Sequence, residues 1–466
     1  MTHYYFVGIG GIGMSGLARY FHAHGAAVSG YDRTATPLTA SLQALGISVC
    51  TSATASEVLA DFEAWLGRTS LDECAVIRTP AVPSDFPVLV AAQKAKCTVL
   101  KRSQLLGKLT RDHPTLAVAG THGKTTTSAI LAHLMMGHSE GCRAFLGGIL
   151  SDQQSNAIWS ENAQWTVVEA DEFDRSFLEL NPTHAVITSA DLDHMDIYED
   201  ADQFHKGFKD FAKRVSGRIF LEESVDIPGL DGQRYGIVND EDNTHSLHIA
   251  AIHPRIVDGW MVADVAMNHA IHAHVKFPMP GKHNVLNALA AIALATESGI
   301  HIEDCLARLN SFSGIERRFN YHIRAPHGAY IDDYAHHPAE LEAAISAARL
   351  HHPGKEITGI FQPHLFSRTR DHMVEFGQAL ALLDRVFLLP IYPAREAPIP
   401  GIDSQVLFEN IPHTRKHLIE SYQIFDNLKE HPPEVLLSLG AGDIDRIVKP
   451  LTNWLREDAH RFKYTT

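Results

Sequence analysis

The chain has 466 residues, 45% of them hydrophobic, and a formal net charge of −15. This length exceeds one ordinary hydrophobic core and suggests about three domains. The acidic charge disfavours nucleic acid as a partner, and no apolar run reaches the roughly 18 residues of a membrane span. Five scattered cysteines without a C-x-x-C motif, and no signal peptide, lead us to expect reduced thiols in a cytoplasmic protein.

The first segment opens with a strand and a glycine-rich turn. The strand Tyr4–Val7 leads into Gly8-Ile-Gly-Gly-Ile-Gly-Met-Ser-Gly16, a helix to about His24 and a second strand that ends at Asp32. This order predicts a β-α-β unit. The turn is compatible with a nicotinamide dinucleotide, as in an NAD-dependent dehydrogenase, with a cradle for another diphosphate, or with a purely structural tight turn.

The second segment contains a phosphate-binding motif, Gly120-Thr-His-Gly-Lys-Thr-Thr-Thr127, between an apolar run and a predicted helix. In such a loop the backbone N–H groups and the helix N-terminus bind phosphate. Lys124 would reach the β- and γ-phosphates, and the Thr125 hydroxyl would ligate Mg²⁺. Val118 stands where the usual first glycine would be, so a chance turn is the alternative. Because a dehydrogenase needs no P-loop, we favour two phosphate sites, one for ATP and one for a diphosphate-bearing substrate.

Acidic and polar side chains follow the next two predicted strands. Glu169 comes after the strand at 165–168, and His194 follows the strand at 185–188. Ligands in parallel α/β sheets lie at the carboxyl ends of strands, so both residues should face the P-loop. With Thr125 they could complete the shell of Mg²⁺ or Mn²⁺, although a structural cap is an alternative for His194.

The third segment begins near Gly314 and contains Asp332-Asp-Tyr-Ala-His-His-Pro338 after a short strand. Two carboxylates, a phenol and two imidazoles in seven residues favour a binding site over a solvated turn. Arg368 and Arg370 follow the strand Ile357–Phe361, and arginine forks suit carboxylates and phosphates. Ordinary salt bridges on a helix are the alternative. We expect both groups at neighbouring strand ends.

Taken together, these residues resemble the Mur ligase family over nearly the whole chain. The motifs that carry the resemblance are Gly8–Gly16, Gly120–Thr127, Glu169-Ala-Asp-Glu172, Asp193-His-Met-Asp196, Gly281-Lys-His-Asn284 with Asn287, Arg317-Arg-Phe319, Asp332–Pro338, Phe361-Gln-Pro-His364 and Tyr392–Pro400. Their order along the chain makes them highly specific as a set.

The resemblance implies an α/β fold with three domains. The expected domains are a Rossmann-like N-terminal domain for a UDP-sugar at 1–109, a central P-loop ATPase-like domain at 110–313, and a C-terminal Rossmann-like domain at 314–466 that closes over ATP and binds an amino acid. The implied enzyme is a monomer or homodimer in peptidoglycan precursor synthesis. It joins L-alanine to the carboxylate of UDP-N-acetylmuramate through an acyl phosphate, with ATP and Mg²⁺ or Mn²⁺. The alternatives are a recycling ligase that attaches a tripeptide and a nucleotide-gated binding protein.

The resemblance also implies residue roles. The implied catalytic residues are Lys124, His194, Arg318 and His336. The implied ATP-binding residues are Gly120, Thr121, His122, Gly123, Lys124, Thr125, Thr126, His283, Asn284, Asn287, Arg318 and Asp333. The UDP-sugar would contact Gly8, Gly10, Gly11, Gly13, Met14 and Asp32. The amino acid would contact Tyr334, His336 and Arg368, and the metal would bind Thr125, Glu169 and His194.

The chain departs from the family pattern at three places. Leu365 stands where many relatives have arginine, which removes one expected contact to the amino acid. The segment Arg78–Asp85 differs from a serine-rich version associated with UDP-sugar contacts, and Phe173 occupies a position that is often smaller and polar.

Overall fold

The computed structural model describes residues 2–52, 54–191, 198, 200–268, 270–325, 328–394, 396–457 and 462. The chain forms two compact units. The first consists of Met1–His253, Asp264–Val275 and Leu286–Ser313, and the second of Pro254–Ala263, Lys276–Val285 and Gly314–Thr466. Within the described ranges, no helix is both long enough and apolar enough to cross a membrane. All five cysteines are free thiols.

The N-terminal sheet has five parallel strands. They are β1 (His3–Val7), β2 (Ala27–Tyr31), β3 (Ser48–Cys50), β4 (Cys74–Arg78) and β5 (Thr98–Lys101). Their order is β3-β2-β1-β4-β5, which is the arrangement of a Rossmann-like half with β1 at the centre. The predicted β-α-β start is therefore confirmed, and the glycine-rich turn lies at the carboxyl end of the central strand.

Four helices connect these strands, and a fifth follows β5. They are α1 (Ile12–Ala23), α2 (Pro37–Ala44), α3 (Ala55–Leu66), α4 (Pro87–Lys94) and α5 (Arg102–Arg111). Local sequence explains where they begin. Thr36 caps α2 in a reciprocal pair with Thr39, and proline occupies the first helical position of both α2 and α4.

The second sheet has ten strands. They are β6 (Thr115–Ala119), β7 (Cys142–Leu150), β8 (Ser155–Trp159), β9 (Trp165–Ala170), β10 (His184–Ile187), β11 (Ile219–Glu222), β12 (Gln233–Val238), β13 (Ile249–Val257), β14 (Trp260–Met267) and β15 (Ala270–Phe277). The order is β15-β14-β13-β12-β11-β10-β6-β9-β7-β8. The fully buried P-loop strand β6 lies between β9 and β10 and is parallel to both. The residues that follow these two strands therefore reach the same edge as the P-loop, as predicted.

Four helices accompany the second sheet. They are α6 (Lys124–Met135), α7 (Ala201–Ala212), α8 (Lys282–Glu297) and α9 (Ile302–Leu309). The apolar face of α7 is aromatic: Phe204, Phe208 and Phe211 are all buried. The ring of Phe211 stacks on Phe177 with 5.1 Å between the ring centroids. This contact fixes the segment after β9, which carries the acidic residues of the site.

The third sheet has six strands. They are β16 (Asn320–Ala325), β17 (Gly328–Asp333), β18 (Ile357–Phe361), β19 (Arg385–Leu388), β20 (Lys416–Leu418) and β21 (Val435–Leu439). The order is β16-β17-β21-β18-β19-β20, and only the pair β16–β17 is antiparallel. The last strand lies between β17 and β18, so the expectation that these two strands are neighbours is wrong. Strand pairing depends on long-range contacts, and local sequence does not encode this insertion.

Six helices cover the third sheet. They are α10 (Pro338–His351), α11 (Phe366–Asp371), α12 (Met373–Leu380), α13 (Ser404–Asn410), α14 (Ile424–Glu430) and α15 (Asp445–Glu457). Successive side chains of a strand point to opposite faces of the sheet, and here they pack in different hydrophobic cores. Both faces of the sheet are therefore buried. Ile331 and Leu437 pack in one hydrophobic cluster, while their neighbours Tyr330 and Leu436 pack in the other.

Candidate active site

The glycine-rich turn joins β1 to α1 in the first unit. Gly8 has φ 86°, and a Cβ atom there would lie 2.7 Å from Thr79 Cγ2, so both conformation and space require glycine. Gly11 is the exposed N-cap of α1, which has no side-chain cap and no acidic residue in its first turn. Gly13 is the second residue of this helix. The turn therefore presents a helix N-terminus suited to an anion.

Asp32 closes this turn. One carboxylate oxygen accepts a hydrogen bond from Gly10 N at 2.8 Å, and the other accepts one from Thr34 N at 3.1 Å. The structure thus brings Asp32 beside the turn, as the sequence pattern indicates. Met14 is 2% exposed and belongs to the hydrophobic core, so its side chain contributes packing.

The P-loop follows β6 and ends where α6 begins. Gly123 has φ 82° and forms the N-cap of α6, and a Cβ there would collide with the Asn287 side chain. Thr127 Oγ1 donates to Asn287 Oδ1 at 3.1 Å. Asn287 therefore lies beside the loop. Gly120 is the residue that directly follows β6. Strand, turn and helix stand in the order that phosphate binding requires.

The segment after β10 supports the P-loop from the side. Thr121 Oγ1 donates to Asp191 O at 2.7 Å, and His122 N donates to Ser189 Oγ at 2.8 Å. The imidazole of His122 lies 3.6 Å from the Asp191 carboxylate. Thr126, in the first turn of α6, is buried. The loop is thus held in shape by backbone and side-chain contacts.

Lys124 is the first residue of α6, and its ammonium lies at the base of the loop. Nζ donates to Gly120 O at 2.7 Å and to Thr121 O at 3.2 Å, and it lies 2.9 Å from both carboxylate oxygens of Glu172. Burial acts to lower the pKa of Lys124, but Glu172 and neighbouring carboxylates leave this pKa raised. The lysine is therefore a charged group available to phosphate.

Two of the predicted metal ligands are brought together. Thr125 Oγ1 lies 3.4 Å from Glu169 Oε2, while Glu169 Oε1 accepts hydrogen bonds from Ser128 Oγ and Gly147 N. These hard oxygen donors beside a phosphate loop fit Mg²⁺, which keeps water and phosphate in much of its shell. His194 lies outside the described residues. Among those that are described, no group of three or more His, Cys, Asp or Glu residues could hold a metal.

In the second unit, His283 and Asn284 start helix α8. Burial lowers the pKa of His283 to about 4, with opposing influences from Glu340 and Arg318. Asn284 is 4% exposed, and its Nδ2 donates to Pro280 O at 2.7 Å. His283 is thus a neutral imidazole in the neutral pH range, placed near the residues that follow β17.

The two arginines before β16 flank an aromatic ring. The guanidinium carbons of Arg317 and Arg318 lie 5.0 and 5.1 Å from the centre of the Tyr334 ring. Arg317 also donates to Gly440 O at 2.5 Å and lies 3.6 Å from the buried carboxylate of Asp332. Arg317 is therefore anchored to the sheet, and Arg318 stacks beside it.

Asp333 ties the end of β17 to the arginine segment. Its two oxygens accept hydrogen bonds from Phe319 N at 2.7 Å and Ala335 N at 2.8 Å. Burial raises the pKa of Asp333 to about 6, against the opposing effect of Arg318. These contacts hold Tyr334 and His336 in a fixed turn between β17 and α10.

The predicted amino-acid residues form one cluster. His336 Nδ1 lies 2.9 Å from Tyr334 O and 3.4 Å from Glu340 Oε2. The ring of His336 lies 5.9 Å from that of His364, and Arg368 Nη1 lies 3.5 Å from His364 Nδ1. Burial lowers the pKa of His336. Although β21 separates their strands, the cluster joins an aromatic ring, a neutral imidazole and a guanidinium.

Leu365 starts the helix that carries Arg368. It has φ 72°, an uncommon conformation for a branched residue, and it is 9% exposed. Its amide donates to Tyr392 O at 3.0 Å, and its carbonyl accepts from both the amide and the hydroxyl of Thr369. Leu365 is therefore an apolar helix N-cap in a strained conformation. Arg370, on the same helix, bonds to Asp371.

Sequence reasoning missed four side chains that the structure adds to these clusters: Ser128, Glu172, Glu340 and His364. For Glu340 a signal existed, because Pro338 and a glutamate two residues later mark a helix start, and Glu340 does cap α10. Glu172 belongs to the motif Glu169-Ala-Asp-Glu172, but nothing local shows which acidic residue faces the lysine. His364 and Ser128 carried no signal beyond their place next to a motif.

Family models match the chain in three consecutive segments. A model described as "Mur ligase family, catalytic domain" covers residues 3–114. The model "Mur ligase middle domain" covers 118–295, and "Mur ligase, glutamate ligase domain" covers 317–445. The three segments therefore occur in one order and leave little of the chain unmatched.

Individual related proteins also match the chain over nearly its full length. The chain is 44% identical to a UDP-N-acetylmuramate–L-alanine ligase of Christiangramia forsetii, over 98% of this chain and 99% of the relative. The crystal structure of a UDP-N-acetylmuramate–alanine ligase from Thermotoga maritima matches with a TM-score of 0.81 at 27% identity, covering 98% and 100% of the two chains. A murein peptide ligase from Psychrobacter arcticus shares the fold, with a TM-score of 0.68 at 21% identity over 98% and 99%. With this full-length similarity and three family segments in order, the chain belongs to the Mur ligase family.

Proposed function

We propose that this protein is an ATP-dependent ligase that joins L-alanine to the carboxylate of UDP-N-acetylmuramate in peptidoglycan precursor synthesis. The observation that carries the proposal is the P-loop: a charged Lys124 at the start of α6, with Thr125 and Glu169 within 3.4 Å of each other. Such a loop serves phosphoryl transfer. The full-length similarity to L-alanine ligases gives the substrate.

The first chemical step activates a poor acyl donor. A muramoyl carboxylate does not react with an amine at neutral pH, so a carboxylate oxygen attacks the γ-phosphorus of ATP and ADP leaves. The product is an acyl phosphate. Lys124 and the helix N-terminus at Gly123 offset the negative charge on the transferring group by preorganised electrostatics. Bound Mg²⁺ would add charge neutralisation at Thr125 and Glu169.

The second step forms the amide bond. The amine of L-alanine attacks the acyl carbon, a tetrahedral intermediate collapses, and phosphate leaves. Because Tyr334 O can only accept a hydrogen bond, Nδ1 of His336 carries the proton and Nε2 keeps its lone pair. We assign this nitrogen to take the proton from the amine. Arg368 pairs with the alanine carboxylate in a charge-assisted contact.

Several finer assignments belong to the same proposal. The nucleotide would also contact His283, Asn284, Asn287, Arg318 and Asp333, and the UDP-sugar would bind at the turn from Gly8 to Gly13. We assign Mg²⁺ or Mn²⁺ as the metal and His194 as a further ligand. We also propose that the domains span 1–109, 110–313 and 314–466. The protein would be located in the cytoplasm and would be a monomer or homodimer.

One experiment separates the candidate functions. Phosphate release is measured with ATP, Mg²⁺ and UDP-N-acetylmuramate, adding either single amino acids or the tripeptide of a recycling ligase. We expect release that depends on L-alanine, because the similarity is to L-alanine ligases along the full chain. Release only with the tripeptide would make the protein a recycling ligase. Nucleotide binding without turnover would indicate a nucleotide-gated binding protein. NAD binding would favour an NAD-dependent dehydrogenase instead.

A further inference from the structure

Among the described residues, Glu172 is the most deeply buried acidic side chain beside the P-loop. Its side chain has 0% exposure, and both oxygens lie 2.9 Å from Lys124 Nζ. The same nitrogen also bonds to the carbonyls of Gly120 and Thr121. An ammonium donates only three protons, so Glu172 and the two loop carbonyls together account for the donors of Lys124.

Substitutions in a buried charge pair of this kind have a predictable effect on the stability of the protein. Removing one partner of a buried pair leaves an uncompensated charge and is strongly destabilising, whereas replacing both with well-packed apolar residues of similar volume is often neutral. Glu172 and Lys124 should therefore depend on each other more than on any exposed neighbour. This dependence can be measured, since coupled residues show non-additive effects when both are changed.

The backbone around Glu172 is held in place from several sides. The buried Tyr198 hydroxyl donates to Glu172 O at 2.8 Å, and Phe177 N donates to Asp171 O at 2.9 Å. Asp174 has φ 53°, an uncommon conformation, and its carboxylate lies 2.8 Å from Lys101 Nζ. The carboxylate that faces Lys124 is thus mounted on a constrained turn.

We propose that Glu172 is a positioning residue for phosphoryl transfer: it holds the Lys124 ammonium while ATP phosphate replaces the Gly120 and Thr121 carbonyls. This inference rests on the proposed ligase function. The ammonium keeps its contact with Glu172 and exchanges its two contacts with the loop carbonyls for phosphate oxygens. It therefore approaches the γ-phosphate from a defined direction. Glu172 itself touches no substrate. Its effect passes through Lys124.

The test compares Glu172→Gln with Asp174→Asn, a matched control in the same turn. Misplacing a catalytic group by about 1 Å can cost about 100-fold in rate, so Glu172→Gln should lower kcat by roughly 10- to 100-fold. The KM values for L-alanine and UDP-N-acetylmuramate should change by less than about two-fold, because uniform substrate binding is not affected. Asp174→Asn should keep kcat near wild type.

A double-mutant cycle with Lys124→Ala distinguishes positioning from a general structural role. Once Lys124 is absent, Glu172→Gln should not reduce kcat further. It should also raise the melting temperature of Lys124→Ala, because it removes the carboxylate that has lost its partner. If Glu172→Gln alone does not fold, the kcat of the double variant is compared with that of Lys124→Ala: equal values support the proposal, and a lower kcat or failure of the double variant to fold overturns it.

The possible outcomes distinguish failure of this inference from failure of the proposed function. Wild-type protein without L-alanine-dependent phosphate release, or full activity in Lys124→Ala, defeats the ligase assignment. With an active wild type and a Lys124→Ala variant of strongly reduced but measurable kcat, unchanged kcat in folded Glu172→Gln overturns only the positioning role. Additive losses in the cycle, or an equal loss in Asp174→Asn, overturn it too.

Discussion

Two neighbouring residues of α6 face different carboxylates. Lys124 faces the buried Glu172, whereas Thr125 faces Glu169. The first contact joins an ammonium to a carboxylate, and the second joins a hydroxyl to a carboxylate. Substitutions at these positions should therefore change different kinetic quantities.

The first prediction concerns Lys124. Lys124→Ala removes a positive group from the transferring phosphate, and the loss of one transition-state contact commonly costs about 10²–10³ in kcat. Phosphate release at saturating substrate measures the loss, and circular dichroism checks the fold. Lys213→Ala, an exposed lysine on the surface of the first unit, is the matched control and should remain active. Near-normal turnover of folded Lys124→Ala would contradict the P-loop assignment.

The second prediction concerns Glu169. Glu169→Gln keeps an oxygen for Ser128 Oγ and Gly147 N but removes the negative charge that favours a cation. We expect the variant to need a higher Mg²⁺ concentration for half-maximal rate, and chelation of the metal to abolish activity in both proteins. Glu161→Gln, at an exposed position, is the control. Superimposable Mg²⁺ titrations of variant and wild type would exclude Glu169 from the metal shell.

At the scale of elements, two strand–helix turns determine where ligands can approach. The turn from β1 to α1 offers glycines and a helix N-terminus, and the turn from β18 to α11 offers the strained Leu365 and then Arg368. The first suits a diphosphate and the second suits a carboxylate.

The third prediction concerns the β1–α1 turn. A Cβ at Gly11 would meet its nearest heavy atom, Gly8 O, at 3.4 Å, and Gly11 is exposed, so a larger side chain is compatible with the fold. Gly11→Leu should therefore weaken UDP-N-acetylmuramate binding by blocking backbone approach, while the melting temperature stays close to wild type. Calorimetry without ATP measures the binding. Unchanged affinity would place the UDP-sugar elsewhere.

The fourth prediction concerns helix α11. A charge-assisted contact to the alanine carboxylate contributes roughly 1.5–3 kcal/mol, so Arg368→Ala should raise the KM for L-alanine by about ten-fold or more. The KM for ATP should hardly change. Since Leu365 supplies no charge, Arg368 should carry most of this interaction. Arg370→Ala is the control; a larger effect there would transfer the role to Arg370.

At the scale of the whole molecule, buried histidines connect stability to pH. The chain contains 30 histidines, and burial lowers the pKa of both His283 and His351 to about 4. A group whose pKa is depressed in the folded state stabilises the protein above its unfolded pKa near 6.5 and loses that contribution as pH falls. These histidines therefore make the protein less stable in weak acid.

The fifth prediction follows from this linkage. One histidine with a folded pKa of about 4 contributes about 1.4 kcal/mol per pH unit, or about 3 kcal/mol between pH 6.5 and 4. The melting temperature should fall across this range, and the fall should be smaller in His283→Gln and His351→Gln. Calorimetric scans from pH 7.5 to 4.5 provide the measurement, with His301→Gln as the control. Parallel curves for all variants would show that the two histidines titrate normally.

Local features could be predicted from the sequence because they depend on neighbouring residues. The strand–glycine–helix order at Gly8 and Gly120, the ends of β9 and β10, and the family resemblance all follow from motifs a few residues long. Parallel α/β sheets then bring strand ends together, so the meeting of Thr125 with Glu169 was predictable.

Long-range pairing was decided only in the tertiary structure. The last strand, β21, inserts between β17 and β18, so Tyr334 and Arg368 do not come from neighbouring strands. His364 lies between His336 and Arg368, and no short motif specifies these contacts. Among the three acidic residues that closely follow β9, Asp171, Glu172 and Asp174, the packing of the segment places Glu172 against Lys124, because side-chain direction in a strained turn depends on the surrounding core. The sequence by itself therefore determined the chemistry and the order of the elements, while the tertiary structure decided which side chains meet.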